Sequence, residues 1–116
     1  NRNQGNIRRS HINASQTRVE LADAEREVAD EVDEAVREFQ LSRDAMLDLE
    51  REIIPASRRV RDSAFRRFQG GETSAIEYLE AQKDYNEVVR QYRDALVRHR
   101  RSMLDLNTAV GVRVLP

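Results

Sequence analysis

The sequence predicts an all-α protein, a long antiparallel helical hairpin of the coiled-coil type that pairs further into a bundle. The first observation is that only four Gly and two Pro occur in 116 residues, which leaves two long segments without strong helix breakers. The second is that apolar residues recur every seven positions, the spacing of a left-handed coiled coil. The third is that 39% of the residues are hydrophobic and 35% charged, which argues against a thick globular core.

The first helix is predicted over about residues 6–69. One apolar stripe consists of Ile7, Ala14, Leu21, Val28, Ala35, Leu49 and Ala56, and a second of Val32, Phe39, Met46, Ile53 and Val60. Pro55 removes one helical hydrogen bond and crowds the preceding turn, so a kink or break is expected near it. Because the seven-residue spacing continues on both sides of Pro55, we favour a bend after which the helix resumes in the same register.

The turn is predicted at residues 70–72 and the second helix over about residues 73–110. Gly70 and Gly71 permit the positive φ angles of a tight reversal, and Thr73 or Ser74 can cap the outgoing helix. The seven-residue spacing returns on this helix as Tyr78, Tyr85, Tyr92, His99 and Leu106, with Val89, Leu96, Met103 and Val110 beside them. The three tyrosines therefore share one face, and we assign them to packing between the two helices.

Charge favours the same pairing. A reversal at Gly71 places two residues opposite each other when their numbers sum to about 142. Residues 20–52 carry 13 acids against four Arg, and the returning helix brings arginines alongside them. Nearer the turn the arrangement is reversed, with the arginines on the first helix and the acids in the turn and on the second helix. The expected pairs join Arg58 and Arg61 to Asp84 and Glu80, join Arg66 and Arg67 to Glu72 and Glu77, and bring Arg90, Arg93, Arg98, Arg100 and Arg101 to the acidic segment.

One segment carries a more specific pattern. It begins with Arg67 and Phe68, continues with Gly71, Ser74 and Glu77, and ends in Leu79-Glu80-Ala81-Gln82. In residue types and spacing it resembles the second hairpin of the TolC-like outer-membrane efflux proteins. Ile54-Pro55 and the run from Leu106-Asn107 to Gly111 are similar to further landmarks of that family. The opening Asn1-Arg2-Asn3-Gln4-Gly5-Asn6-Ile7 is similar to its heavy-metal branch.

The resemblance implies a structural and transport role in the periplasm of a Gram-negative cell. In that family, trimers form a tube whose periplasmic part is a barrel of twelve helices, and hairpin tips open or close its inner end. The tip residues Gly70, Gly71, Glu72, Thr73 and Ser74 are then expected to dock a periplasmic adaptor protein and, through it, an inner-membrane pump. Glu77 and Glu80 are expected to line the entrance constriction as a negative ring, and Arg66 and Arg67 to lock the closed tip.

The chain is expected to be one hairpin module of a longer channel protein. Because the sequence has no alternating strand pattern, we expect the membrane-embedded part of such a channel to lie outside these residues. The first helix is predicted to extend about 25 residues beyond the second, which leaves Ala14, Leu21, Ala22 and Val28 exposed in an isolated hairpin. Self-association into an antiparallel dimer or a larger bundle is the expected consequence.

Other functional classes receive less support. The runner-up hypothesis is the coiled-coil hairpin of a periplasmic adaptor protein, or a general coiled-coil scaffold, which shares the heptads but not the tip pattern. The sequence holds no nucleophile with a base, no phosphate loop and no cofactor fingerprint, so we expect neither an enzyme nor a cofactor. With no Cys and only His11 and His99, a metal site is not expected. A net charge of −1 argues against nucleic-acid binding.

Overall fold

A computed structural model describes residues 2–113 and 115–116, and over them the chain is a single helical hairpin measuring 102 × 25 × 14 Å. Helix α1 spans Arg2–Asp48, a π-helical turn spans Leu49–Ile53, helix α2 spans Ile54–Gln69 and helix α3 spans Ala75–Val110. The described residues contain no strand. The predicted all-α hairpin is confirmed, whereas pairing into a bundle stays a prediction.

The reversal is longer than the predicted turn. Helix α2 ends at Gln69, and α3 begins at Ala75 instead of near residue 73. Ser74 is the N-cap of α3, because its backbone is extended and its hydroxyl accepts a hydrogen bond from the Glu77 N–H. At the other end α1 already begins at Arg2, before the predicted start near residue 6; Asn1 of the opening pattern lies outside the described residues.

Pro55 neither breaks the helix nor lets it continue unchanged. The five residues Leu49–Ile53, called here the π segment, form a wider turn in which the Ile54 N–H donates to the Leu49 carbonyl five residues earlier. Pro55 then falls in the first turn of α2, where its missing N–H costs little. The wider turn adds one residue to the helical path, as π turns in α-helices do.

That extra residue moves the seam, which is the line of side chains facing α3. Before the π segment the side chains at least partly buried in the seam include Phe39, Ser42, Met46 and Leu49. After it they include Ile54, Ser57, Arg61 and Ala64, and the buried Ala64 follows the buried Ser42 by 22 residues, which is three sevens plus one. The predicted unbroken register is therefore wrong for Ile53 and Val60 of the second stripe, whereas Ala56 of the first stripe is half-buried, as predicted. Ile53 and Val60 are 44% and 63% exposed, since one additional residue rotates the following side chains by about 100°.

Helix α3 faces the other two helices with one predicted and one unpredicted stripe. Tyr78, Tyr85, Tyr92, His99 and Leu106 are all at least partly buried, which confirms their assignment to packing. The stripe beside them consists of small or medium residues, namely Ala81, Val88, Ala95, Ser102 and Ala109. Val89 and Met103 also lie in the seam, but Leu96 and Val110 are 39% and 41% exposed, so their predicted seam positions are wrong.

A polar layer fixes the pairing of α1 with α3. The Ser42 and Ser102 hydroxyls lie 2.7 Å apart and are almost fully buried. The Ser42 Oγ also lies 3.3 Å from His99 Nδ1, and the His99 ring packs on Phe39 with centroids 5.2 Å apart. Because a one-residue slip would separate the two buried hydroxyls, this layer disfavours other registers.

The predicted charge pairing is confirmed in part. Arg98 makes two hydrogen bonds to Glu38, of 2.7 and 2.9 Å, and the Tyr92 hydroxyl donates to Glu50 at 3.2 Å. Arg61 does not reach Asp84 or Glu80. It pairs instead with the adjacent Asp62, and its guanidinium stacks on the Tyr85 ring at 4.2 Å. The seam shift explains this, since it turns Arg61 into the seam and onto the tyrosine stripe. Within the described residues Arg58 has no ion pair.

The two ends away from the tip differ. Helix α3 stops at Gly111, whose φ of +75° is left-handed, and the Asn107 side chain then bonds both the N–H and the carbonyl of Leu115. Towards its N-terminus, helix α1 extends beyond the level at which α3 ends, and no other helix of the described residues packs beside it there. From residue 3 to residue 31 every side chain is exposed except Ala22, which is half-buried. We call residues 3–31 the overhang.

Candidate functional site

The hairpin tip is an ordered reversal built by a glycine helix cap. Gly70 keeps a helical conformation with φ −76°, whereas Gly71 has φ +74°. The Gly71 N–H donates to the Phe68 carbonyl and the Glu72 N–H donates to the Arg67 carbonyl, at 3.0 and 2.9 Å. These two bonds define a Schellman motif with Gly71 at its left-handed position. Of the paired glycines, only Gly71 uses the conformational freedom that the sequence suggested for both.

The remaining tip residues lead into α3. Glu72 and Ser74 are exposed, and the Ser74 hydroxyl caps the helix by accepting from the Glu77 N–H at 3.4 Å. Thr73 is half-buried, and its Oγ1 atom is buried with no hydrogen-bond partner in the described part of the chain. The five predicted docking residues thus form one continuous end of the rod, exposed except at the half-buried Thr73.

Arg67 and Glu77 join the two helices across the tip. The Arg67 Nη1 donates to the Glu77 Oε1 at 3.0 Å, with the two side chains 50% and 47% exposed. An ion pair this exposed contributes about 0–1 kcal/mol, so it orients the helices more than it stabilises them. Arg66 is exposed and makes no ion pair among residues 2–113 and 115–116. The structure therefore brings together one of the two predicted lock arginines and one of the two predicted gate acids.

The two acids have different environments. Glu77 and Glu80 are three residues apart on α3, which places them on neighbouring parts of one face. Glu77 is engaged by Arg67 and lies at the base of the turn. Glu80 is exposed, one turn further from the tip, and has no ion pair in the described range. Glu80 is thus the acid whose charge is left uncompensated.

An aromatic cluster behind the tip was not predicted. Phe68 stacks on Tyr78 with centroids 6.0 Å apart and an interplanar angle of 8°, and Phe65 meets the same ring at 5.2 Å. Phe65 and Phe68 remain 40% and 39% exposed. The signal for this cluster is the spacing of three between the phenylalanines, which puts both on one face opposite the first tyrosine of α3.

A shallow groove follows the seam behind the tip. Its walls are mostly small or apolar side chains of α2 and α3, and its charged members are Arg59, Arg67 and Glu77. It is lined by Ala56, Arg59, Val60, Ser63, Ala64, Arg67, Glu77 and Ala81. The groove offers an apolar floor with charges at its edges, which suits the side chains of a second helix more than a small reactive substrate.

Comparison with known proteins finds no matching family model, no matching curated protein and no matching solved structure. Within residues 2–113 and 115–116, no cluster of His, Asp or Glu side chains is arranged to hold a metal ion. Nor does any helix in that range combine the length and the apolar character needed to span a bilayer. Over the described residues, the site thus consists of an ordered turn, an ion pair across the tip, an acid without an ion pair and an exposed aromatic cluster.

Proposed function

We propose that this chain is the periplasmic α-helical hairpin of a trimeric outer-membrane efflux channel of the TolC-like type. Its tip docks a periplasmic adaptor protein and gates the tunnel of a tripartite export system. The observation that carries the proposal is that the tip-pattern residues act in one reversal: Gly71 is left-handed, Ser74 caps α3, and Glu77 pairs with Arg67.

Docking rests on the order and exposure of the tip. The glycine cap and the Ser74 cap fix the backbone of residues 70–74, so a partner meets a preformed surface and binding costs little conformational entropy. The half-exposed rings of Phe65 and Phe68 provide the apolar contacts that dominate many interfaces. An adaptor that ends in its own helical hairpin can pack end to side against these groups and the adjoining groove.

Gating divides the two acids between two roles. Glu77, held by Arg67, belongs to the contact that keeps the tip closed. Glu80 has no ion pair in the part of the chain that the structure describes, and three copies of it around a threefold axis make a ring of negative charge at the tunnel entrance. Such a ring attracts cations and repels anions, which accords with the similarity of the opening residues to the heavy-metal branch. Loss of the Arg67–Glu77 pair then favours the open state.

The test is export by Gram-negative cells whose efflux of a toxic metal or drug depends on the intact protein carrying this hairpin. Gly71→Pro, and Glu substituted at Thr73 and Ser74, are expected to abolish export while the protein stays at normal abundance. Gly70→Ala is the matched control, because Gly70 is helical and an added Cβ meets nothing closer than 3.5 Å. Resistance and protein level in the outer-membrane fraction are the two measurements.

Normal export by the Gly71→Pro variant contradicts the docking role. Recovery of the intact protein from the inner membrane together with a pump, with no outer-membrane fraction, favours the adaptor hypothesis. For the gate, Arg67→Ala is expected to raise leakage of small ions through the channel, whereas Arg66→Ala leaves leakage unchanged because, within the described residues, Arg66 makes no cross-tip pair. Equal leakage in both variants contradicts the lock.

A further inference from the structure

The overhang carries an apolar stripe that α3 does not cover. Ile7, Leu21 and Val28 are 52%, 60% and 54% exposed, and Ala14 is exposed between them. These residues continue, at the same spacing of seven, the line of Ala35 and Ser42 that packs against α3 further along. This helical segment of about 29 residues has the apolar seven-residue repeat of a coiled coil but lacks a second helix against its seam.

The charge of the overhang is divided in two. Residues 3–19 carry Arg8, Arg9 and Arg18 and no acid. Residues 20–31 carry six acids and one base, Arg26. A single rod segment therefore has a basic first half and a strongly acidic second half, and neither half has a counter-charge on α3, which ends at Val110.

We propose that the overhang pairs antiparallel with the overhang of a second copy of this chain, centred near residue 17. In this orientation the basic half of each copy lies along the acidic half of the other, and Ile7 approaches the level of Val28 of the second copy. The pair thus continues the seam of both hairpins without displacing α3.

Charge disfavours a direct parallel pairing of two overhangs. A parallel, in-register pair places the six acids of one overhang beside the six acids of the other, and repulsion of this kind costs several kcal/mol in an interface. The contact is also small. A strip about 43 Å long and 10 Å wide buries roughly 900 Å² in total, which is typical of weak and reversible association. The proposal concerns this chain alone and does not depend on an export role.

The experiment is analytical ultracentrifugation of the 116-residue chain over a wide concentration range and at two salt concentrations. The average mass is expected to rise with concentration from 13.5 kDa towards twice that value, and to fall again in high salt. A mass that stays at 13.5 kDa up to the highest soluble concentration overturns the proposal. So does assembly beyond the dimer.

Charge reversal tests the orientation. The variant R8E/R9E/R18E changes the basic half from +3 to −3 and is expected to weaken dimerisation at least tenfold. Mixing it with E25R/E27R/D30R is expected to restore dimers, because the two changes complement each other. R93E/R100E/R101E reverses three exposed arginines on α3 and is the matched control, expected to dimerise normally. Equal weakening by the control, or no recovery on mixing, overturns the charge argument.

Single cysteines locate the axis, since the chain has no Cys of its own. Arg18→Cys lies close to its own copy at the centre of an antiparallel pair and is expected to form a disulfide-linked dimer on mild oxidation. Ile7→Cys lies roughly 30 Å from its mate and is expected to stay monomeric. Faster linkage of Ile7→Cys than of Arg18→Cys indicates a parallel pair and overturns the proposal.

The apolar stripe is tested by a matched pair of leucines. Leu21 and Leu41 are 60% and 62% exposed, but only Leu21 lies on the uncovered stripe. Leu21→Ser is expected to weaken dimerisation about tenfold while Leu41→Ser leaves it unchanged, with equal helical content by circular dichroism showing that both variants fold. If both variants dimerise like the parent chain, the stripe is not the interface.

Discussion

The two halves of the hairpin pack in different ways. In the base half, where α1 meets α3, Ser42, Ser102, Met103 and Leu106 are all at most 9% exposed. In the tip half, where α2 meets α3, Ala64 is the one described side chain buried to that degree, and Phe65 and Phe68 are about 40% exposed. The base half is a closed seam with a polar layer, and the tip half is an open seam held by ring stacking.

The difference begins at the π segment. Its extra residue turns Ile53 and Val60 outwards and brings Ser57, Arg61 and Ala64 to the seam. The tip half therefore lacks large apolar side chains at its centre and depends on Arg61 over Tyr85, on the Phe65–Phe68–Tyr78 cluster and on the glycine cap. A less buried tip leaves apolar surface available for a partner, at the expense of local stability.

The largest effect is expected from removing the extra residue itself. Deletion of Glu52, which is exposed in the π segment, restores a seven-residue step between the two halves. Pro55 then lies inside a continuous α-helix, where it loses a hydrogen bond and clashes with the preceding turn, so the free energy of unfolding should fall by about 3 kcal/mol. Urea unfolding at low protein concentration measures the change.

Pro55→Ala in the background of that deletion is the matched control. It removes the clash while keeping the restored spacing, so most of the lost stability should return. If the deletion variant is as stable as the parent chain, or if Pro55→Ala restores none of the lost free energy of unfolding, then the π segment does not form because of Pro55.

The next effect separates a seam position from a position that the heptads alone assign to the seam. Met103 is 8% exposed in the base half, and Met103→Ala is expected to lower the free energy of unfolding by about 2 kcal/mol. Val60 belongs to the predicted second stripe but is 63% exposed, so Val60→Ala should change it by less than about 0.5 kcal/mol. If the two variants lose equal free energy of unfolding in thermal or urea experiments, the seam follows the predicted register without the shift.

These residues show how far the sequence alone can be read. The hairpin, the tyrosine stripe and the turn at the glycines follow from periodicity and breakers, which are local properties. The seam shift does not, because a spacing of seven through Met46, Ile53 and Val60 contains no sign of an inserted residue. The shift depends on two effects that appear only in three dimensions: the clash and lost hydrogen bond of Pro55 in a regular α-helix, and the packing of the tip half.

The candidate site was predictable to a similar extent. Gly71 and Ser74 could be named because their residue types suit the turn and the helix cap, whereas Arg67 and Glu77 could be named from charge pairing across the turn and from the family resemblance. The different environments of Glu77 and Glu80, and the absence of a cross-tip pair for Arg66 in the described structure, depend on side-chain directions at the turn. Spacing along the sequence places such residues on one face of a helix, but it does not determine which arginine and which acid form the ion pair.

A smaller effect is expected at the tip, where the two glycines form a natural comparison. Gly71→Ala forces a side chain into a φ of +74° and should lower the free energy of unfolding by about 1–2 kcal/mol. Gly70→Ala keeps a helical conformation without a close contact and should be neutral or slightly stabilising. Thermal unfolding distinguishes them, and equal melting temperatures contradict the assignment of Gly71 as the left-handed residue.

The smallest effect belongs to the surface of the base half and depends on pH. The Arg98 side chain hydrogen-bonds Glu38 and thereby holds the pKa of that carboxyl below its ordinary value of 4.5. The carboxylate is therefore favoured in the folded state. Its stabilisation is fully present above 4.5 and is lost as the pH falls through the lowered folded-state pKa.

Arg98→Gln should consequently lower the melting temperature slightly near neutral pH and have no effect once Glu38 is protonated in both chains. Arg93→Gln, on the same helix but without an ion pair in the described structure, controls for the loss of one positive charge. Both side chains of the Arg98–Glu38 pair are about half exposed, so high salt should reduce the difference as well. A difference that persists unchanged in acid would mean that Arg98 acts through packing of its aliphatic stem and not through the carboxylate.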